Sequence, residues 1–227
     1  GADPARAALL DNFCWASPED PKQLGALIRA AEGCRDAAKG FSAPFISGKD
    51  SMFNQSKDEK GKDLAIPGTL LISALAPVPD GRKAVTMDFK GPGNALYMIG
   101  RTNDELGGSL YHRVMGRAGG EVPKVNPACA IDGFKALHSA INRGLVLSAH
   151  DLSEGGLALA AAEMGFTGEF GCLLDLDECP RDPRIYSNET LLFSESPSRI
   201  LVEVPPEKES SFLRHFGKSA KSACVRR

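Results

Sequence analysis

Four short polar segments set beside glycines carry residue types that can do chemistry. In Asp11-Asn12-Phe13-Cys14-Trp15 a carboxylate follows a short apolar run, where it can hold a nucleotide or a magnesium shell. An ordinary turn or helix-cap aspartate would look the same. Ser47-Gly48-Lys49-Asp50-Ser51 combines a glycine that lets backbone approach a phosphate, a mobile ammonium group and a hydroxyl. The upstream glycine of a Walker loop is missing, since Ala43 and Pro44 precede it, so the competing reading is a plain surface turn. In His150-Asp151-Leu152-Ser153-Glu154-Gly155-Gly156, backbone N–H groups at a glycine-bearing helix start favour anions while Asp151 and Glu154 favour a cation. Together they could bridge Mg²⁺ and a polyphosphate. The alternative is a helix cap with Ser153 at the N-cap and His150 as a hydrogen-bonded structural residue. Phe193-Ser194-Glu195-Ser196-Pro197-Ser198-Arg199 suits a sugar phosphate and a tight turn before a strand equally well. Gly107-Gly108-Ser109, after Glu105, needs nothing beyond a close helix approach. His112, His138 and His215 have neither the spacing nor the neighbours of a metal site.

Strands and helices must carry these segments. Residues 7–10 read as a buried strand ending at Asp11, and residues 22–39 as a helix with one buried face, closed by Gly40. Pro44-Phe45-Ile46 begins a strand that delivers the polar turn 47–51. Residues 55–63 read as an exposed excursion and 69–76 as a strand. Turn signals at Pro77–Gly81 and at Gly91-Pro92-Gly93-Asn94 follow, and the second divides the chain into domains 1–93 and 94–227. Beyond it come a strand at 95–99 and a helix lined by Ile131, Phe134, Leu137, His138 and Ile141. A strand at 145–149 ends at His150, and an alanine-rich helix runs from Gly155-Gly156 to about Met164. Strands at 172–176 and 200–204 precede a closing helix that buries Phe212, Leu213 and Phe216. The class is mixed α/β (α+β) in two lobes.

Composition excludes several functions. Among 227 residues, 42% are hydrophobic and 25% charged, which is ordinary globular usage. A formal charge of -2 provides no cationic field for nucleic acid or acidic lipid. No apolar run approaches the ~20 residues that span a bilayer. Six scattered cysteines without a C-x-x-C pair read as reduced, mostly buried thiols of a cytosolic protein. The absent initial methionine, and an end directly after an apparent strand, suggest a piece of something longer.

Five segments, in order, resemble the phosphoribosylformylglycinamidine synthase family. They are Leu9-Leu10-Asp11-Asn12-Phe13-Cys14-Trp15, Ser47-Gly48-Lys49-Asp50-Ser51-Met52, Asp104-Glu105-Leu106-Gly107-Gly108-Ser109, the 150–156 segment and the 193–199 segment. The resemblance implies an aminoimidazole-ribonucleotide-synthetase-like two-lobe fold, here the second half of the core. Its N-terminal sheet lobe would be truncated, and its C-terminal α/β lobe cut at the end. It also implies ATP-dependent conversion of formylglycinamide ribonucleotide to the amidine with glutamine-derived ammonia, ATP and Mg²⁺ as cofactors, and a cytoplasmic setting. The implied partners are the first half of the same synthase and a glutaminase domain or subunit, with no nucleic acid or membrane.

Position by position, the resemblance makes Asp11 and Gly48 nucleotide-contacting and Ser51 substrate-contacting. Lys49 departs from family members with a magnesium-binding asparagine there. An ammonium group cannot coordinate Mg²⁺, so Lys49 would pair with an ATP phosphate instead. Asp151 and Glu195 match metal and substrate positions of the first half and imply an auxiliary nucleotide or metal site. No catalytic residue lies in this chain, because the family's histidine belongs to the first half, and the metal ligands stay unknown. Two alternatives are a non-catalytic scaffold half with a structural nucleotide site, and a related synthetase of the superfamily. The chain alone is expected to be inactive and, with open sheet edges, prone to self-association. The enzyme reading asks the Asp11 loop and the Gly48–Ser51 turn to converge on one phosphate-sized hollow.

Overall fold

The computed structural model describes residues 1–219 and 225–226. Two compact units appear, one of Asp3–Pro77 and one of Val78–Arg227 with Gly1–Ala2.

In the first unit, β1 (Ala8–Cys14) leads through α1 (Pro21–Phe41) to β2 (Phe45–Ser51), followed by a hairpin of β3 (Gln55–Lys57) and β4 (Asp63–Ala65) and then β5 (Thr69–Leu75). The larger sheet has the order β2-β1-β5, with β1 parallel to β2 and antiparallel to β5. A helix crossover is what joins parallel neighbours, and α1 is built for that task. Asp20 caps it by accepting from Lys22 N, and Pro21 sits where no N–H is needed. It ends at Ser42 in the left-handed conformation, so Gly40 remains inside the helix instead of closing it. The expected polar turn at 47–51 is strand: its backbone pairs with β1, and side-chain polarity does not prevent that on an exposed edge. Asp11 likewise stands in mid-strand, on the central β1.

The second unit contains β6 (Ala95–Ile99), α2 (Leu110–Val114), α3 (Pro127–Asn142), β7 (Ser148–Asp151), α4 (Gly156–Gly168), α5 (Asn188–Phe193), β8 (Ile200–Val204), α6 (Glu209–Ser219) and β9 (Val225–Arg226). Its sheet has the order β7-β8-β6-β9, antiparallel throughout. Alternation along β6 and β8 feeds two cores. Tyr97, Ile99, Val202 and Val204 pack with Ala136, Ala140, Ile141, Phe212 and Phe216 on one face. Met98 and Leu201 pack with Leu157, Ala160, Ala161, Met164 and Phe89 on the other. Each Val, Leu, Ile, Met or Phe side chain buried this fully contributes roughly 1.5–3 kcal/mol before entropy is counted.

Residues 78–93 lie with this second unit, ahead of the division expected at residue 93. Ala149 N donates to Thr86 O at 3.1 Å, and Phe89 N donates to Met164 O at 3.2 Å. Lys90 N reaches Glu203 Oε2 at 2.9 Å. Residues 172–176 form no strand, and Leu173 is 93% exposed, because no sheet edge pairs with them. Leu213 points outward from α6, unlike Phe212 and Phe216. Cys14, Cys34 and Cys179 are half-buried free thiols and Cys129 and Cys172 are exposed, which corrects the expectation of mostly buried cysteines; Cys224 lies outside the described residues. Among the described residues no helix is long and apolar enough to cross a membrane.

Candidate functional site

Asp11 and Gly48 are direct partners in the parallel β1–β2 register. A Cβ on Gly48 would stand 2.3 Å from Asp11 Oδ1, so the carboxylate rests on bare strand backbone. Because strand residues alternate, Asp11, Phe13 and Asp50 share this face, while Asn12, Cys14, Lys49 and Ser51 take the other. On the first face Cys34 of α1 is close by: burial, and then the Asp11 carboxylate, push its thiol pKa up. On the second face Lys49 Nζ donates to Ser51 Oγ. The two segments therefore lie side by side, but the single expected hollow is replaced by two faces of one strand pair.

The backbone at Ser51 is held firmly. Its carbonyl accepts from Trp15 N at 2.9 Å and from Asn54 Nδ2 at 2.8 Å. Asn54 N in turn donates to Trp15 O at 2.9 Å, and Trp15 Nε1 to Gln23 O at 3.0 Å. The indole lies on Gly68, where a Cβ would come within 2.4 Å of Trp15 Cζ2. Sequence reasoning quoted Trp15 but missed Asn54 and Gly68; a lone tryptophan near a glycine-bearing strand start was the available signal.

In the second unit the 104–109, 150–156 and 193–199 segments meet. Glu195 Oε1 accepts from Leu110 N at 2.8 Å and from Gly155 N at 2.9 Å, joining the starts of α2 and α4. Gly155 is the left-handed N-cap of α4 and has no side chain to cap it, so Glu195 supplies the acceptor. Ser153, the expected cap, donates to Asp151 instead. Gly156 must lack a side chain, because a Cβ would sit 2.5 Å from Ser194 O. Asp151 is exposed, and His150 Nε2 lies 2.7 Å from Glu163 Oε2.

Beneath these groups Arg199 is 1% exposed, donating to Ser196 O at 2.8 Å, Thr102 Oγ1 at 3.0 Å and Ser194 O. Burial pulls its pKa down to about 10 against the support of Glu105, Cys179 and Glu195. Glu105 Oε1 accepts from Lys124 N at 3.0 Å, whereas Glu105 Oε2 and His112 Nδ1 are buried without a partner among the described residues. No group of three metal-ligating side chains occurs among the described residues. A cavity of about 550 Å³ lies elsewhere in this unit, lined by Phe89, Met98, Leu157, Phe170, Leu201 and Glu203 among others.

A sequence profile described as AIR synthase related protein, C-terminal domain, matches residues 91–225. This chain belongs to the AIR synthase-related family. Its start at residue 91 falls inside the second unit. The similarity extends beyond the profile. The chain is 33% identical over 218 residues to phosphoribosylformylglycinamidine synthase subunit PurL of Lactobacillus helveticus, covering 96% of this chain and 27% of that protein. It is 37% identical over 195 residues to the PurL subunit of Thermococcus sibiricus, covering 86% of this chain and 26% of that protein. The chain thus spans about a quarter of the length of the curated relatives it matches.

Among solved structures, T. maritima PurL complexed with FGAR superposes with a TM-score of 0.71 at 19% identity, over 98% of this chain and 35% of that one. E. coli HypE, a hydrogenase maturation protein, superposes at 0.60 and 12%, over 96% of this chain and 65% of that one. These likenesses establish the mixed α/β, two-lobe AIR synthase-related fold.

Proposed function

We propose that this chain is the second half of the synthetase body of a phosphoribosylformylglycinamidine synthase. The observation that carries the reading is the PurL similarity over 96% of the chain, which takes in the β1–β2 strand pair as well as the second unit. The Asp11 carboxylate and the bare backbone at Gly48 would hold ATP, whose phosphates would reach round the β2 edge to the Lys49 ammonium group on the other face. Ser51, which shares its face with Lys49, would hold formylglycinamide ribonucleotide where that phosphate arrives. An amide oxygen is a poor leaving group; phosphorylation by ATP makes it a good one, and ammonia then displaces phosphate. Mg²⁺ finds no three-ligand cage among the described residues, and Lys49 is itself a cation. Phosphate oxygens would be its main ligands.

The first half of the synthase and a glutaminase would complete the enzyme, in the cytoplasm. Exposed Leu71 and Leu75, and the outer edges of β2 and β5, suit pairing with another sheet lobe, and self-association of the chain alone. The full-length protein carrying this chain is expected to consume ATP in the presence of formylglycinamide ribonucleotide and ammonia, and the 227-residue chain is not. Turnover by the chain alone, or none by the full-length protein, overturns the reading.

The bonding of Glu195 favours a narrower role for the second unit. A carboxylate already serving two backbone N–H groups is a structural clamp, so this unit would act as scaffold without an auxiliary nucleotide at Glu195. Stoichiometric retention of ADP by the purified full-length protein, lost on Glu195→Gln, would contradict this.

A further inference from the structure

Phe53 has φ 60, in the left-handed region that bulky L-residues rarely adopt. Ser42 and Glu169 share that region as C-caps of α1 and α4, where a left-handed residue ends a helix. Phe53 caps no helix, and the residue is 57% exposed. The backbone on both sides is pinned. Ser51 O is bonded by Trp15 and Asn54, Gln55 N donates to Phe53 O at 2.9 Å, and Ile66 N donates to Asn54 O at 3.2 Å. The fold thus holds an aromatic ring out in water, on strained backbone, two residues beyond Ser51. A lone exposed apolar side chain is ordinary; one kept at a conformational cost beside a binding position marks a ligand contact.

We infer that Phe53 is a substrate-contacting residue whose ring packs on the ribose-and-amide portion of formylglycinamide ribonucleotide, next to the Ser51 hydroxyl. The inference rests on the reading of Ser51 given above. It assigns the ring to this substrate because Phe53 lies two residues from Ser51 and five from Gly48.

The test uses the full-length protein with Phe53→Asn, which tolerates the left-handed backbone, and Phe53→Tyr, which keeps the ring. Phe53→Asn is expected to leave Tm unchanged or higher while weakening formylglycinamide ribonucleotide, in KM and in calorimetric Kd, by about tenfold. The KM for ATP should not move, and Phe53→Tyr should bind like the parent. A lower Tm for Phe53→Asn would make the ring structural, and a change confined to ATP would place it at the nucleotide; either overturns the inference, as does unchanged affinity. Calorimetry separates this from the reaction itself. If the parent binds the ribonucleotide and Phe53→Asn does so more weakly, the contact stands even where no turnover is seen and the synthase reading falls. No binding by the parent sinks both.

Discussion

The Asp11 carboxylate lies against the backbone of Gly48 on the neighbouring parallel strand, 2.3 Å from where a Cβ would stand. Gly48→Ala must therefore drive the carboxylate away, since the strand backbone cannot yield as easily. Overpacking of this kind costs about 1–3 kcal/mol. The expected outcome in the full-length protein is ATP affinity reduced by about tenfold or more, with substrate affinity little changed. Calorimetric titration with each ligand checks it, and an unaltered ATP constant would detach this pair from nucleotide binding.

Gly68→Ala would press a methyl group into the Trp15 ring, 2.4 Å from Cζ2. Trp15 is the only tryptophan, so its emission reports on the site directly. A red shift and a stability loss of about 1–3 kcal/mol are expected in denaturant titrations.

Glu195 should tolerate loss of its charge better than loss of its acceptor. Glu195→Gln can still accept from Leu110 N and Gly155 N, whereas Glu195→Ala leaves both N–H groups without this acceptor. The alanine variant should lose about 1–2 kcal/mol and the glutamine variant less than half of that. Equal losses in thermal melts would argue against the clamp.

Arg199→Met would fill most of the volume yet orphan Ser194 O, Ser196 O and Thr102 Oγ1 in a buried site. A cost of about 3 kcal/mol or more is expected, read from the denaturation midpoint.

Acid sensitivity should be traceable in part to Asp182. Hydrogen bonds from Arg184, assisted by Arg101, hold its pKa at about 2, below the ordinary 3.8. A depressed carboxylate stabilises the fold at pH above its unfolded value, and that contribution disappears as pH falls from about 3.8 to about 2. Asp182→Asn lacks it at every pH. The Tm gap between parent and variant should be constant at neutral pH and close over that acid window; a gap that persists at pH 2 would refute the assignment.

Much of the framework was readable locally. The apolar spacing of residues 22–39 and 131–141 locates α1 and α3 because one buried helix face needs only its own sequence to be recognised. The apolar runs at 69–76, 95–99 and 200–204 likewise become β5, β6 and β8. The equally apolar 172–176 does not become a strand, since pairing depends on a partner edge that the run itself cannot specify. Residues 47–51 fail in the opposite direction: their polarity suggests a turn, and distant β1 makes them a strand. Gly68 and Lys124 carry little signal in their own neighbourhoods, because their partners Trp15 and Glu105 lie 53 and 19 residues away.

The sequence alone determined the family, the mixed α/β class and which short segments bear the polar groups, because residue identity and order are linear properties. Tertiary structure decided which of those groups face together. Strand side chains alternate with a period of two, so the register that sets Gly48 against Asp11 sends Ser51 to the opposite face, and a slip of one residue would reverse it. That register is fixed by hydrogen bonds between segments some 37 positions apart, as Asp11 and Gly48 are, and no stretch of either strand encodes it by itself.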